Sequence, residues 1–536
     1  MVNTIIRNGT IIDGTSKPPF VADIAIVNGA ISLIAGALDN SGRNEIDASG
    51  LVVAPGFIDI HSHSDLSLFL EPHAESKIKQ GITTEVVGNC GTSPAPLPAH
   101  AQYRSDLIHQ METDGFLPPG SEQARCDWPS QVDYMQYLVD RGVSSNLIPL
   151  VGGATLRIGA VGEKVKLGSE DVAIIKHMLV KELSRGVWGM SSGLFYVPGN
   201  YYTKNELLEI CRVLSNKGGL WAVHMRDEGR QLFAAVDEVL DVARQTGVSL
   251  EISHLKLEGK SNWGRPKELL GLLHKARDNG INVSWDQYPY TAYGTSLISV
   301  IPPYFREQGI DHFLENLHHN EFKKSVKEGM LHGTKDWPSQ LADIEWGKIL
   351  IAQAKNDKEL AGKTLEGIAQ ERGEDPAEVI LDLLLTQEGR VSIVAPAMSE
   401  KDVEVIMKDP VTMICSDGKA VSPQGRYTHP HPRYYGAFPR VLGRYVREKG
   451  ILDLPEAVRK MTSLPASRLG LKDRGTIAEG QAADIVIFNP KTVTDRATFE
   501  EPSQYPQGIE YVFVNGELAI EKGKHTGRYP GRLLKR

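Results

Sequence analysis

The stretch PGFIDIHSHSD, residues 55–65, decides the fold. An apolar run ends in His61 and His63, two positions apart, with Asp65 close behind. Side chains alternate along a β-strand, so positions i and i+2 face the same side. Two imidazoles leaving a strand end together suit a metal ion. A His-x-His pattern by itself also fits two polar residues in a strand-to-loop turn, so the rest of the chain has to decide.

Working outward, the same rhythm recurs: a short apolar run, a polar or glycine-containing end, then a helical stretch. In order the runs are VVAPGFIDIHSH, TTEVVGNCG, NLIPLVGG, VWGMSSGLF, GLWAVHMRD, SLEISHLK, NVSWDQYPY and VTMICSDG. Strands alternating with helical patterns imply parallel βα units. Eight of them predict an α/β chain built on a (β/α)8 TIM-like barrel, with its site at the C-terminal ends of the strands.

The two ends of the chain read differently. TIIRNGTIIDG, ADIAIVNGAISLIAG and RNEIDASGLVVAPG at the start, with RGTIAEGQAADIVIFNP and IEYVFVNGELAIEKGKH at the end, are β-rich pieces. Asn-Gly, Asp-Gly and Ser-Gly turns break them. They predict one small β-sandwich assembled from both termini, residues 1–54 and 471–536, around a barrel at 55–470. A mostly amphipathic helical segment at about 300–375 interrupts the rhythm between the seventh and eighth runs. It is expected to be an insertion that acts as a lid over the mouth.

Bulk properties narrow the function. The 536 residues are ample for a large domain with attachments, and 41% hydrophobic with 24% charged residues is a soluble globular balance. A net charge of −8 without a long basic run argues against nucleic acid as the main partner. Cys90, Cys126, Cys211 and Cys415 form no CxxC pair, which disfavours a secreted disulfide scaffold. MVNTIIRNGTIIDG lacks the apolar core of a signal peptide, and no apolar run is long enough for a membrane span. A cytoplasmic protein is expected.

The strand ends can then be read together. The first ends in His61 and His63, the second in Cys90, the fifth in His224, the sixth in His254 and the eighth in Asp417. Singly, each has an ordinary explanation: a hydrogen-bonded histidine, a buried small thiol, a turn-forming aspartate. Together they fall where a parallel barrel converges its side chains, which points to a metal site. Imidazole and thiolate donors favour zinc over the all-oxygen cages of magnesium and calcium. A thiol-protease reading of Cys90 needs a histidine as general base, and these histidines are better used as ligands.

The residues PGFIDIHSHSD, QGITTEVVGNCG, SSGLFYVPG, VHMRDEG, ISHLK, NWGRP, YPYTAYGTSL and MICSDG resemble the N-acyl-D-amino-acid deacylases (D-aminoacylases) of the metal-dependent amidohydrolase superfamily. The resemblance runs to the terminal TGRYPGR and covers nearly the whole chain. It implies that Cys90, His224 and His254 hold the main zinc, while His61, His63 and Asp417 line a second metal position. It also implies Lys256, Arg433, Tyr196 and Tyr288 as substrate contacts; a cationic fork or ammonium with phenol donors suits a carboxylate. The strand-four run WGMSSGLF has no lysine to bridge two metals, in keeping with the deacylase pattern. One departure stands out: Gly152, Gly153 and Ala154 occupy a loop where many family members read Gly-His-Gly.

The activity implied is zinc-dependent hydrolysis of the amide bond of an N-acyl-D-amino acid, a small-molecule substrate, to a carboxylate and a free D-amino acid. A metal-activated water attacks, and Asp417 is the expected general base and acid. TAYGTSLISV, after the seventh run, offers no cation, which leans towards an apolar or neutral substrate side chain. The alternatives are a cyclic amidohydrolase of the hydantoinase or dihydroorotase kind, and a non-catalytic scaffold on the same fold. The missing strand-four lysine weighs against the first, and the complete candidate ligand set against the second.

Overall fold

The computed structural model describes residues 3–39, 41–113, 115 and 128–536; Cys126 lies outside the described residues. From the N-terminus the strands are β1 (Thr4–Ile11), β2 (Phe20–Val27), β3 (Ala30–Ala35), β4 (Asn44–Asp47) and β5 (Val52–Pro55). Next come β6 (Phe57–Asp59), β7 (Ile82–Val87), β8 (Asn146–Pro149), β9 (Val151–Gly152), β10 (Gly189–Gly193), β11 (Leu220–His224), β12 (Ser249–Ile252) and β13 (Val283–Gln287). They are followed by β14 (Ala292–Ser296), β15 (Leu350–Ala354), β16 (Val391–Pro396) and β17 (Thr412–Ile414). The last are β18 (Ile485–Phe488), β19 (Ile509–Val514), β20 (Glu517–Glu521) and β21 (Lys524–His525).

The two termini meet in one nine-stranded sheet, ordered β21-β20-β19-β18-β5-β1-β2-β3 with β4 paired to β1. The join is the antiparallel β5–β18 ladder, with Pro55 opposite Ile485. Ile6, Ile24 and Val53 from the start share a core with Ile485 and Phe513 from the end. Joint assembly of both ends is therefore observed, as a single hydrogen-bonded sheet.

All eight runs that the sequence singles out are strands, and they run parallel in two ladders, β6-β7-β8 and β9-β10-β11-β12-β13-β17. Backbone hydrogen bonds cross both gaps between the ladders. At Leu150, between β8 and β9, its amide donates to Val87, and Trp188 donates to Pro149, at 2.9 and 2.8 Å. Between β17 and β6, Ser62 pairs with Gly418, and Asp417 N–H donates to His61 at 2.9 Å. Helices such as Lys204–Asn216, Leu232–Thr246 and Pro266–Asp278 cover the strands with Leu207, Val236 and Leu269 against Trp221 and Trp285.

Three features differ from the sequence reading. The run NLIPLVGG is divided at Leu150 into β8 and β9, which belong to different ladders. The run VVAPGFIDIHSH is two strands, β5 in the terminal sheet and β6 in the parallel set, divided at Gly56. A Cβ at Gly56 would come within 2.3 Å of the Thr83 side chain, so only glycine lets the backbone cross there. The segment at 300–375 holds helices Ile310–Asn316, Asn320–His332 and Leu365–Arg372, but also β15. That strand joins an antiparallel sheet ordered β14-β16-β15, so the interruption begins at Ala292, ends after Pro396 and is partly β.

Candidate metal centre

Cys90 sits on the turn after β7, and its thiol is the hub of the site. Its Sγ lies 3.4 Å from His61 Nε2, 3.4 Å from His254 Nε2 and 3.7 Å from His224 Nδ1. His61, Cys90 and His254 offer donor atoms all within 4.8 Å of one another; so do His61, His63 and Asp417. His63 Nε2 and His61 Nε2 lie 3.1 and 3.6 Å from Asp417 Oδ1. The six side chains named from the strand ends thus face one another. His61 belongs to both groups, and His224, Glu228 and His254 form a third.

The backbone that aims them is unusual. Cys90, His254 and Asp417 have φ of 52°, 39° and 45°, the left-handed region that non-glycine residues rarely occupy. Each sits just past the end of its strand. Specific bonds hold the turns. Asp286 Oδ1 accepts the His254 N–H at 2.8 Å, and Ser191 Oγ accepts the Gly91 N–H at 2.9 Å. Gly91, with φ of 83°, lies so close to β10 that a Cβ there would meet the Gly193 nitrogen at 2.6 Å. β10, which has no lysine, contributes Ser191 as a brace for this turn. The strand-to-helix junction at Gly152–Ala154 also braces this turn, through Ala154 N–H to Gly91 O at 2.8 Å.

Burial sets the electrostatics. It pushes the Cys90 thiol well above its ordinary value and the imidazoles of His61, His224 and His254 well below theirs. Burial also works against ionised Asp417, but Arg433 overcomes it, with help from His63, and holds the carboxyl well below the usual range. Arg433 Nη1 lies 2.6 Å from Asp417 Oδ2; burial works against the charged guanidinium, but Asp417, with Tyr288 and Tyr434 adding to it, holds the group above its ordinary value.

The predicted substrate contacts line the same pocket, together with Phe195, Glu258, Tyr293, Lys419 and His431. Lys256 Nζ pairs with Glu228 Oε2 at 2.6 Å. Tyr196 Oη shares a hydrogen bond with Thr295 Oγ1 at 3.1 Å. Buried Tyr288 Oη and Arg433 Nε have no hydrogen-bond partner among the described residues, and the guanidinium stacks 4.7 Å over the Tyr288 ring.

Sequence reasoning missed Glu228, Asp286, Glu258, Lys419 and His431. Glu228 Oε1 lies 3.1 Å from His254 Nδ1, which Lys256 Nζ also approaches at 2.8 Å, and its Oε2 lies 3.6 Å from His224 Nε2, so one carboxylate stands beside both rings. Its place four residues after His224, inside VHMRDEG, was the available signal. Burial raises Glu258 to about 8, with Glu228 adding to the shift, and lowers Lys419 to about 7. Lys419 comes from the loop after β17, so the pocket has an amine that the segment after β13 lacks.

The donor set fits a tetrahedral cation. Zinc–sulfur and zinc–nitrogen bonds of about 2.3 and 2.0 Å separate neighbouring donors by about 3.5 Å. The Cys90 distances of 3.4–3.7 Å match that spacing. A divalent ion also reverses the cost of a buried thiolate.

Comparison with known proteins agrees on the class first. Residues 44–141 and 359–520 match the amidohydrolase family. The D-aminoacylase of Alcaligenes xylosoxydans xylosoxydans is 35% identical over 533 residues, covering 99% of this chain and 97% of the relative. An N-acyl-D-glutamate deacylase from Bordetella bronchiseptica, solved with zinc and a phosphonate mimic of the tetrahedral intermediate, is 33% identical. It superposes with a TM-score of 0.82 over 100% of both chains. A D-aminoacylase described as having a binuclear metal centre, with one-metal activation and second-metal attenuation, gives 0.83 at 35% identity over 100% of both chains. The chain belongs to the D-aminoacylase, or N-acyl-D-amino-acid deacylase, family of the amidohydrolases.

Proposed function

We propose that this protein hydrolyses the amide bond of N-acyl-D-amino acids, releasing a carboxylate and a free D-amino acid, with zinc as its metal. The observation that carries the reading is the Cys90 thiol within 3.7 Å of three imidazoles, beside a pocket that also presents Lys256, Arg433 and Tyr288. We place the tightly held ion on Cys90, His224 and His254, with His61 in reach of it. His61, His63 and Asp417 form the second position. We also take the parallel strands as one (β/α)8 barrel at 55–470, the segment at 300–375 as its lid, and 1–54 with 471–536 as an accessory β domain.

When bound, zinc supplies Lewis acidity, polarising an amide carbonyl and easing deprotonation of water. Asp417 takes the proton of the attacking water and passes it to the leaving nitrogen, which departs poorly unless protonated. Arg433 keeps that carboxylate ionised and ready to accept. The Tyr196 hydroxyl, kept protonated by burial, donates to the developing oxyanion. Tyr288 Oη and Arg433 Nε, buried donors with no other described partner, take the substrate α-carboxylate beside Lys256.

The absence of a strand-four lysine and the carboxylate-binding donors favour a linear N-acyl amino acid over a cyclic imide. The test is a panel of N-acetyl-D-amino acids, N-acetyl-L-amino acids and hydantoins, assayed with zinc quantified in the same preparation. Turnover confined to the D-series is the expected result; ring opening without deacylation overturns the reading.

A further inference from the structure

The loop after β17 reads His-Pro-His-Pro-Arg over residues 429–433, and opposite partners hold its second histidine. His431 Nδ1 accepts the backbone N–H of Arg433 at 3.0 Å. Its Nε2 lies 2.9 Å from the carbonyl oxygen of Ala292. A backbone amide only donates and a carbonyl only accepts, so the ring is neutral with its proton on Nε2. The imidazole is buried, with Tyr290 and Phe499 rings edge-on at 5.4 and 5.3 Å.

The carbonyl it uses belongs to β14, an edge strand whose ladder partner in its sheet is β16. An edge strand presents a row of backbone groups that lack ladder partners. Carbonyls two residues apart point the same way, and here both are taken. Ala292 O receives His431, and Gly294 O receives Arg433 Nη2 at 3.3 Å. The other end of the same guanidinium reaches Asp417 Oδ2 at 2.6 Å. The loop is thus pinned to the β14 edge at two points, two residues apart on each side, and the second point is the side chain that faces the reacting carboxylate.

We propose that His431 is a positioning residue, which registers Arg433 against Asp417 and the substrate carboxylate by bonding the β14 edge and the Arg433 amide at once. The substrate half of this statement rests on the deacylase reading; the Asp417 half stands on the geometry alone. His431 acts through Arg433 and takes no part in proton transfer.

The experiment compares metal-loaded wild type with His431→Phe, His431→Gln, His431→Asn, Arg433→Lys and the double variant H431F/R433K. With N-acetyl-D-methionine, H431F is expected to raise KM about tenfold, the scale of one charge-assisted hydrogen bond, with a smaller change in kcat. The double variant should then lose little beyond R433K, because both changes remove the same interaction. H431Q, whose amide nitrogen reaches Ala292, recovers part of the loss; H431N, which is too short, does not. A merely structural histidine would lower the melting temperature, leave KM in place and add to R433K in the double variant; that result overturns the proposal. If H431F does not fold, the contrast between H431Q and H431N decides. If wild type hydrolyses no N-acyl-D-amino acid, the deacylase reading falls, and a crystal structure of H431N still decides. A guanidinium withdrawn from Asp417 supports the positioning role, and one still paired with it sinks the role.

Discussion

The two ends of the parallel strands have opposite characters. At the C-terminal ends, Cys90, His254 and Asp417 occupy left-handed backbone, and their side chains are buried with strongly displaced protonation. At the N-terminal ends, the last residues of the chain run alongside β8, where Leu533 bridges Leu147 in parallel, and on to Gly186. Gly531 N–H donates to Val143 at 2.9 Å, Leu147 N–H to Arg532 at 2.9 Å, Leu534 N–H to Leu147 at 2.9 Å and Arg536 N–H to Gly186 at 3.2 Å. Trp188 Nε1 adds a bond to Leu534 O at 2.7 Å. Left-handed backbone gathers where chemistry is done, and regular backbone bonding to the end of the chain gathers at the far end. Changes at the first end should therefore move function with little effect on folding, and changes at the second should do the reverse.

The largest expected effect is at the hub. Cys90→Ala should lose bound metal and turnover together, down to background, while the protein still folds. Metal analysis beside a rate assay checks it, and full zinc occupancy would mean that the ligand set is misassigned. Next, Asp417→Asn should lower kcat by about 100- to 10,000-fold while keeping the tightly bound zinc. A near-native kcat would remove Asp417 from proton transfer. Third, Lys256→Met should raise KM about 10- to 100-fold, since it deletes a charged donor from the pocket.

At the far end the sign reverses. Removing residues 529–536 should cost about 2–4 kcal/mol of stability from lost backbone bonds and the packing of Leu533. Calorimetry should show the lower midpoint, with kcat per folded molecule unchanged; a fall in kcat would break the division between the two ends. The smallest effect concerns His525, whose Nδ1 accepts the Gly527 N–H at 3.0 Å. Burial, with His73 nearby, lowers it from 6.5 to about 4. The folded state thus disfavours the charged ring. Its contribution is complete above pH 6.5 and is lost as pH falls towards 4. His525→Gln should flatten part of the decline in melting temperature over that window and leave turnover at pH 7 as it was.

Much of this was legible in the sequence. Apolar runs bounded by glycine and polar ends marked every parallel strand, because buried parallel strands need continuous apolar side chains. The donor cluster was legible because its members sit at strand ends, where topology alone brings distant positions together. What stayed hidden depended on partners that no local pattern reveals. Glu228 and Asp286 look like ordinary acids until His254 is seen between them. The β14–β16 ladder joins Ala292 to Pro396, with helices in between, so β14 reads as a loop and His431 has no visible purpose. Gly56 divides one apolar run into two strands only because Thr83 stands against it.

The β5–β18 ladder has a consequence for how the protein is made. Pro55 waits for Ile485, so a nascent chain emerging from the ribosome exposes the edge of β5 throughout synthesis of the parallel strands. Such long-range closure is slow, and a stalled translation product ending before the last strands would present that edge to other chains. Chaperone demand during expression, and loss of yield on C-terminal truncation, follow from that single pairing.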